Sequence, residues 1–196
     1  MKKVSLVTRS IVMVGAVVFT AMCAVSGCKG SKKVPVTKGA TEVSVPLSGK
    51  EYRTDKDFFR ATQSGKSPDL ATAKKIALQN AKTELAGNIQ STMKAVVDNY
   101  TNQRTVGDKQ EFENKFEEYS RTVINQTLND VKIMDEKVFR ETDGKYTCYI
   151  AIETSKEPVV RNVSDRISKD AKLQLDFDQY KFRQEFDKEM EKFENR

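Results

Sequence analysis

From residue 73 the chain sets alanine at every fourth position, Ala73, Ala77 and Ala81, and follows with Leu85. Positions four apart fall on one face of an α-helix. Ile89, Met93, Val96 or Val97 and Tyr100 continue the stripe with the drift expected at 3.6 residues per turn. A helix whose apolar face is alanine over several turns must lie close against its partner, because a methyl group fills little space and protein interiors leave few voids. A sheet is the partner that fits. The other face carries Lys74, Lys75, Lys82 and Lys94 and reads as solvated. Just upstream, Ser67 as N-cap, Pro68 at the first helical position and Asp69 in the first turn predict where this helix begins.

The flanking segments supply the sheet. Lys56–Gln63, with Phe58, Phe59 and Thr62, predicts a first strand closed by Ser64-Gly65-Lys66. The polar run from Asn99 to Gly107 predicts the end of the striped helix. Asp108 stands three residues before Glu111, the spacing of a capping box, and Phe112, Phe116, Tyr119, Val123, Thr127 or Leu128 and Val131 give a second helix its apolar face. Val131–Glu141 is strand-like around Ile133, Val138 and Phe139. Asp143-Gly144 predicts a tight hairpin with both turn residues at positive φ. Beyond it Tyr146, Cys148, Ile150 and Ile152 alternate with Thr147, Tyr149, Ala151 and Glu153, so one strand face is apolar. Ser155 and Pro158 open a helical C-terminal region in which Leu173, Phe177, Tyr180, Phe182, Phe186, Met190 and Phe193 recur three and four apart between dense charges. Such a face needs a partner: the domain itself, a second copy, a membrane or another protein. The expected fold class is α+β, a small antiparallel sheet packed by the alanine-striped helix and a second helix, plus a long C-terminal amphipathic helix.

The N-terminus carries an address. Lys2, Lys3 and Arg9 precede an apolar stretch from Ile11 to Met22, too short for a comfortable span of about 20 residues. A positive n-region, a short apolar core and small residues before a cut make a secretory signal. Val25, Ser26, Gly27 and Cys28 resemble the lipobox of bacterial lipoproteins in all four places. The resemblance implies cleavage after Gly27, a diacylglycerol thioether on Cys28 and acylation (a palmitate-type chain) of the new amine. Two or more chains anchor stably where one is marginal. Lys29 is not acidic, which in the sorting pattern of Gram-negative lipoproteins implies the outer membrane. The expected organisation is a signal peptide over 1–27, an acylated cysteine and flexible tether over 28–50 with Pro35, Gly39, Pro46 and Gly49, and one domain over 51–196. Glu42-Val43-Ser44-Val45 alternates and could form a short edge strand ended by Pro46.

Composition excludes more than it suggests. The chain has 34 Lys+Arg and 28 Asp+Glu, a net charge of +6. Lys2, Lys3 and Arg9 leave with the signal, so the mature chain is near +3, and its charges are mixed in sign. That is no nucleic-acid footprint. Histidine is absent, which removes the commonest general base and metal ligand. Of the three cysteines, Cys23 goes with the signal and Cys28 is acylated, so Cys148 has no disulfide partner and no zinc site can be built from cysteines. Gly65-Lys66-Ser67 lacks the glycine that a phosphate loop needs at position 60, where Arg60 stands. Asp55 and Asp57, or Asp176 and Asp178, could pair for catalysis or a cation only with ligands brought from elsewhere. No catalytic, cofactor or metal residue is assigned.

The segment from Asp69 to Ala86, with its A-x3-A-x3-A-x3-L stripe, resembles the helix of the LPP-twenty group of bacterial lipoproteins, and is similar to the N-terminal domain of the flagellar protein FlgT. Val138-Phe139 and the run Lys145–Glu153 resemble the apolar hairpin of the same group. The resemblance covers about half of the mature chain. It implies a helix on a curved antiparallel sheet, somewhat like a dodecin, an envelope role and no established enzymatic activity. The expected function is a lipid-anchored, non-enzymatic scaffold or interaction module at the outer membrane, on its periplasmic face. Its expected partners are the membrane through Cys28, and a second copy or an envelope protein through the C-terminal helix or the sheet edge. The alternative is a periplasmic small-ligand carrier that uses the concave side of the sheet.

Overall fold

Three strands build the sheet of the computed structural model, which describes residues 39–41, 43–103 and 107–194. They are β1 (Phe58–Ser67), β2 (Lys132–Arg140) and β3 (Tyr146–Ser155), all antiparallel in the order β1-β3-β2. The central strand is the most apolar one, as its double neighbours require: Cys148, Ile150, Ala151 and Ile152 are buried. β1 runs farther than its composition predicts. Ser64, Gly65, Lys66 and Ser67 do not close the strand but pair with Tyr149, Cys148, Thr147 and Tyr146. The hairpin lies where Asp143-Gly144 puts it, with a different turn. The Glu141 carbonyl accepts from Gly144 N–H at 3.0 Å, Glu141 N–H donates to the Lys145 carbonyl at 2.8 Å, and only Gly144 has positive φ (+81°). This is a three-residue loop, a tight turn followed by a left-handed glycine, which spares Asp143 the strained conformation.

Helix α1 (Leu70–Gln103) lies on one face of β1 and β3. Because β1 continues through Ser67, the cap moves from Ser67 to Asp69, whose Oδ1 accepts from Thr72 N–H at 2.8 Å. Ala73, Ala77, Ala81, Leu85 and Ile89 are fully buried. Gly65 shows how close the stripe lies. A Cβ at this position would stand 2.4 Å from Ala77 N and 2.5 Å from Ala73 O, so the strand meets the helix backbone itself. α1 also runs through Asn99 to Gln103, past the predicted break. The reason is tertiary. Tyr100 is 1 % exposed, its hydroxyl accepting from Asp178 N–H (2.7 Å) and donating to the Asp176 carbonyl (3.1 Å), and Asn99 Nδ2 donates to Glu189 Oε1 (2.7 Å).

Helix α2 (Lys109–Thr127) starts as predicted, with Asp108 Oδ1 accepting from Glu111 N–H at 2.9 Å, and buries Phe112, Phe116, Val123 and Ile124. The C-terminal region is not one long helix. It forms α3 (Lys156–Lys169), capped by Ser155, and α4 (Gln179–Glu191), capped by Asp178, with a turn-rich segment between. Asp170 stops α3, its Oδ1 accepting from the N–H groups of Lys172 and Leu173. Phe182, Phe186 and Met190 of α4 are buried, with Phe186 edge-on to Phe59 of the sheet at 6.3 Å. Tyr180, counted with that face in the sequence, is 69 % exposed.

On the opposite side of the sheet the chain crosses before β1. The compact unit begins at Ser44, so 44–50, which read as tether, belong to it. Val43, Ser44 and Val45 form no strand, and Glu42 lies outside the described residues. Leu47 is buried at φ +55°, and Tyr52, in a short turn over Lys50–Tyr52, reaches across to donate its hydroxyl to Asp135 Oδ2 at 2.9 Å.

One contact between α2 and the segment after α3 has a pH signature. Tyr119 donates to Asp170 Oδ2 at 2.5 Å. This bond, aided by desolvation, pushes the Tyr119 phenol up to about 12 and holds the Asp170 carboxyl low. A tyrosine raised in the folded state adds stability below its ordinary value near 10, and that contribution is lost as pH rises through about 12. Titration of tyrosine absorbance should show one group ionising late, and Asp170→Asn should return it to the ordinary range.

Candidate interaction surface on the β2 edge

β2 reads Lys-Ile-Met-Asp-Glu-Lys-Val-Phe-Arg, charges mixed with apolar residues of high strand preference. Charges on a strand make sense where side chains reach water, and β2 is an edge strand. α1 packs over β1 and β3 and stops short of it. Ile133 and Val138 are therefore 48 % and 40 % exposed, and Phe139, on the face away from α1, is 46 % exposed, while Cys148, Ile150 and Ile152 of β3 are covered.

The pairing assigns the faces. Val138 lies opposite Cys148 and Glu136 opposite Ile150, which puts both on the helix side, and Lys74 of α1 reaches Glu136 at 2.6 Å. That bond holds the Lys74 amine above its usual value. Phe139 and Asp135 take the other side. Phe139 stands edge-on to Tyr149 at 5.9 Å. The Tyr52 hydroxyl, then the backbone N–H of Glu136, hold the Asp135 carboxyl below the usual carboxylate range. Arg140 lies over the Tyr146 ring at 5.9 Å. An irregularity between Ile133 and Asp135 breaks the register, leaving a straight run from Asp135 to Arg140. The outer flank of that run is a row of backbone donors and acceptors bordered by Val138, Phe139 and four charged side chains. Such a row is the arrangement to which an extended strand can add.

No protein-family model, curated protein or solved structure matches the chain. The likeness to the LPP-twenty group therefore rests on the residues quoted for it.

The residues weighed from sequence fall elsewhere. Cys28 lies outside the described residues. Cys148 is fully buried, and burial pushes its thiol up, away from the reactive thiolate. Asp55 accepts from the N–H groups of Asp57 and Phe58 and pairs with Arg60 at 2.5 Å, which makes it a strand-entry brace. Asp176 Oδ2 accepts from Gly107 N–H at 3.0 Å, and Asp178 caps α4. Among the described residues no cluster of three or more His, Cys, Asp or Glu could hold a metal ion. The helix side of β3 offers no room for cargo, because Cys148, Ile150 and Ile152 are 0–2 % exposed beneath α1. The groove of about 310 Å³ between α1 and α2 is rimmed by Lys94, Asp98, Glu113, Glu117 and Arg121. A wider one of about 780 Å³ lies between α3 and α4, but its floor residues Val160 and Phe182 are only 2 % and 1 % exposed, so a ligand there would touch mainly its rim. The apolar face of α4 is likewise turned into its own domain, which leaves β2 as the unpartnered apolar strand. Its sequence carried a usable signal, five charged residues among nine.

Proposed function

We propose that this chain is a lipid-anchored envelope protein, held at the outer membrane through acylated Cys28, that acts as a non-enzymatic interaction module through the β2 edge. The observation that carries the reading is the contrast within one sheet. β1 and β3 are packed on the helix side, while β2 leaves Ile133 and Val138 half-exposed on that side and Phe139 half-exposed on the other. An apolar surface left open beside an unpaired strand edge is what a docking surface requires. The Val25–Cys28 pattern supports the address. Among the described residues no helix is long and apolar enough to cross a membrane, which is compatible with attachment by lipid.

Cys28→Ser tests the anchor. The substituted protein should take up no labelled fatty acid, and should appear as an uncleaved precursor or leave the membrane fraction. Unchanged acylation would overturn the anchor.

A further inference from the structure

We infer that the occupant of the β2 edge is the β2 strand of a second copy of this chain, paired antiparallel about a two-fold axis at Val138. This deepens the interaction-module reading and rests on it. A two-fold normal to the sheet pairs antiparallel strands and keeps matching faces on the same side, so each β2 residue meets one of its own face. The straight run Asp135–Arg140 allows few registers. Centring on Asp135, Glu136, Lys137 or Arg140 sets two like charges directly opposite one another, which is destabilising. Centring on Phe139 sets Val138 against Arg140 twice and carries Glu136 past the end of the strand. Centring on Val138 sets valine against valine on the helix side. It also sets Glu136 against Arg140 of the second copy, twice. On the other face Phe139 meets Lys137, also twice.

Charge and exposure agree with this register. Arg140 has no ion-pair partner among the described residues, while Glu136 is held in place by Lys74. Val138 and Phe139, both half-exposed, fall at the centre of the contact. The adverse pair, Asp135 and Glu141, falls at its ends, where Asp135 is bonded to Tyr52 and Lys137 and Glu141 accepts from the Thr147 hydroxyl at 2.7 Å. The flank is open, since α1 stops short of β2 and the segment before β1 reaches the strand through Tyr52. The product is a continuous six-stranded sheet with β1 at both ends. The same axis brings the two chain entries at Ser44 to one height along it.

The experiment uses the full-length, membrane-bound protein with Val138→Cys and a mild oxidant, in a Cys148→Ala background because Cys148 lies directly opposite Val138 on β3 and would otherwise capture the new thiol within one chain. Opposed residues on an antiparallel pair have Cβ atoms about 4.5–5.5 Å apart, within reach of a disulfide after small adjustment. A disulfide-linked dimer on a non-reducing gel is expected, and none from the chain carrying Cys148→Ala alone. Adding Arg140→Glu should lower the dimer yield roughly tenfold by replacing two opposite-charge pairs with like-charge pairs. Adding Glu136→Arg to that variant should restore it, a recovery that a folding defect would not show. A dimer insensitive to Arg140→Glu overturns the register. An adduct of Val138→Cys with a different protein overturns self-pairing and leaves the interaction-module reading standing. No adduct of any kind overturns both.

Discussion

Gly65→Ala should be among the most damaging single substitutions in the domain. The added methyl would stand 2.4 Å from Ala77 N and 2.5 Å from Ala73 O, and neither atom belongs to a side chain that can turn away. Relief requires moving the helix, and the helix is fixed by Ala73, Ala77, Ala81 and Leu85, all fully buried. Overpacking of this kind costs about 3 kcal/mol or more. In a domain of this size each kcal/mol shifts the melting point by about 2–4 °C, so a fall of about 6–12 °C is expected by circular dichroism of the full-length protein. Gly87→Ala is the matched control. It lies inside the same helix, its new methyl meets nothing within 4 Å, and helix preference should stabilise it by about 0.5–1 kcal/mol. Equal melting of the two variants would mean that the strand and helix are not in backbone contact at Gly65.

That contact marks how far the sequence could be read. The alanine stripe was legible because it is periodic, and it placed the helix against a sheet correctly. Asp108 with Glu111 and the alternation of β3 were legible for the same reason: each is a local pattern with a local cause. The failures share a different origin. Asn99–Gln103 is polar and reads as a break, yet Tyr100 and Asn99 are held by Asp178, Asp176 and Glu189, more than seventy residues later. Ser67-Pro68 reads as a cap, yet β3 recruits Ser67 into a strand. The regular spacing of apolar residues after Leu173 gave no warning that Asp170 would divide the region into two helices. Of the candidate site, the charged composition of β2 could be read as an edge. Its exposure could not, because that depends on where α1 lies across the sheet. Cys28 is the reverse case, carried wholly by its local motif.

Phe182→Ala is the second large effect expected, and it bears on how any partner should be sought. Phe182 is 1 % exposed, with Phe116 and Phe177 each at 5.5 Å and Tyr100 at 6.3 Å between ring centres. Tyr100 in turn stacks on Phe112 at 5.7 Å. These rings come from α1, α2, α4 and the segment before α4, so Phe182 joins four parts of the chain within the one hydrophobic core. Removing a buried phenylalanine costs about 3–5 kcal/mol, a fall in melting point of about 6–20 °C at this size. Tyr180→Ala, two residues away and 69 % exposed, should stay within about 0.5 kcal/mol of the parent. A chain ending before Leu173 would lose Phe177, Phe182, Phe186 and Met190 together and open the rings of Tyr100, Phe112 and Phe116 to water. It should lose cooperative unfolding altogether. Loss of a partner on such truncation would therefore report a collapsed core and not a removed docking helix. Substitutions on β2, where Val138 and Phe139 are already half-exposed, change the surface while leaving the core intact.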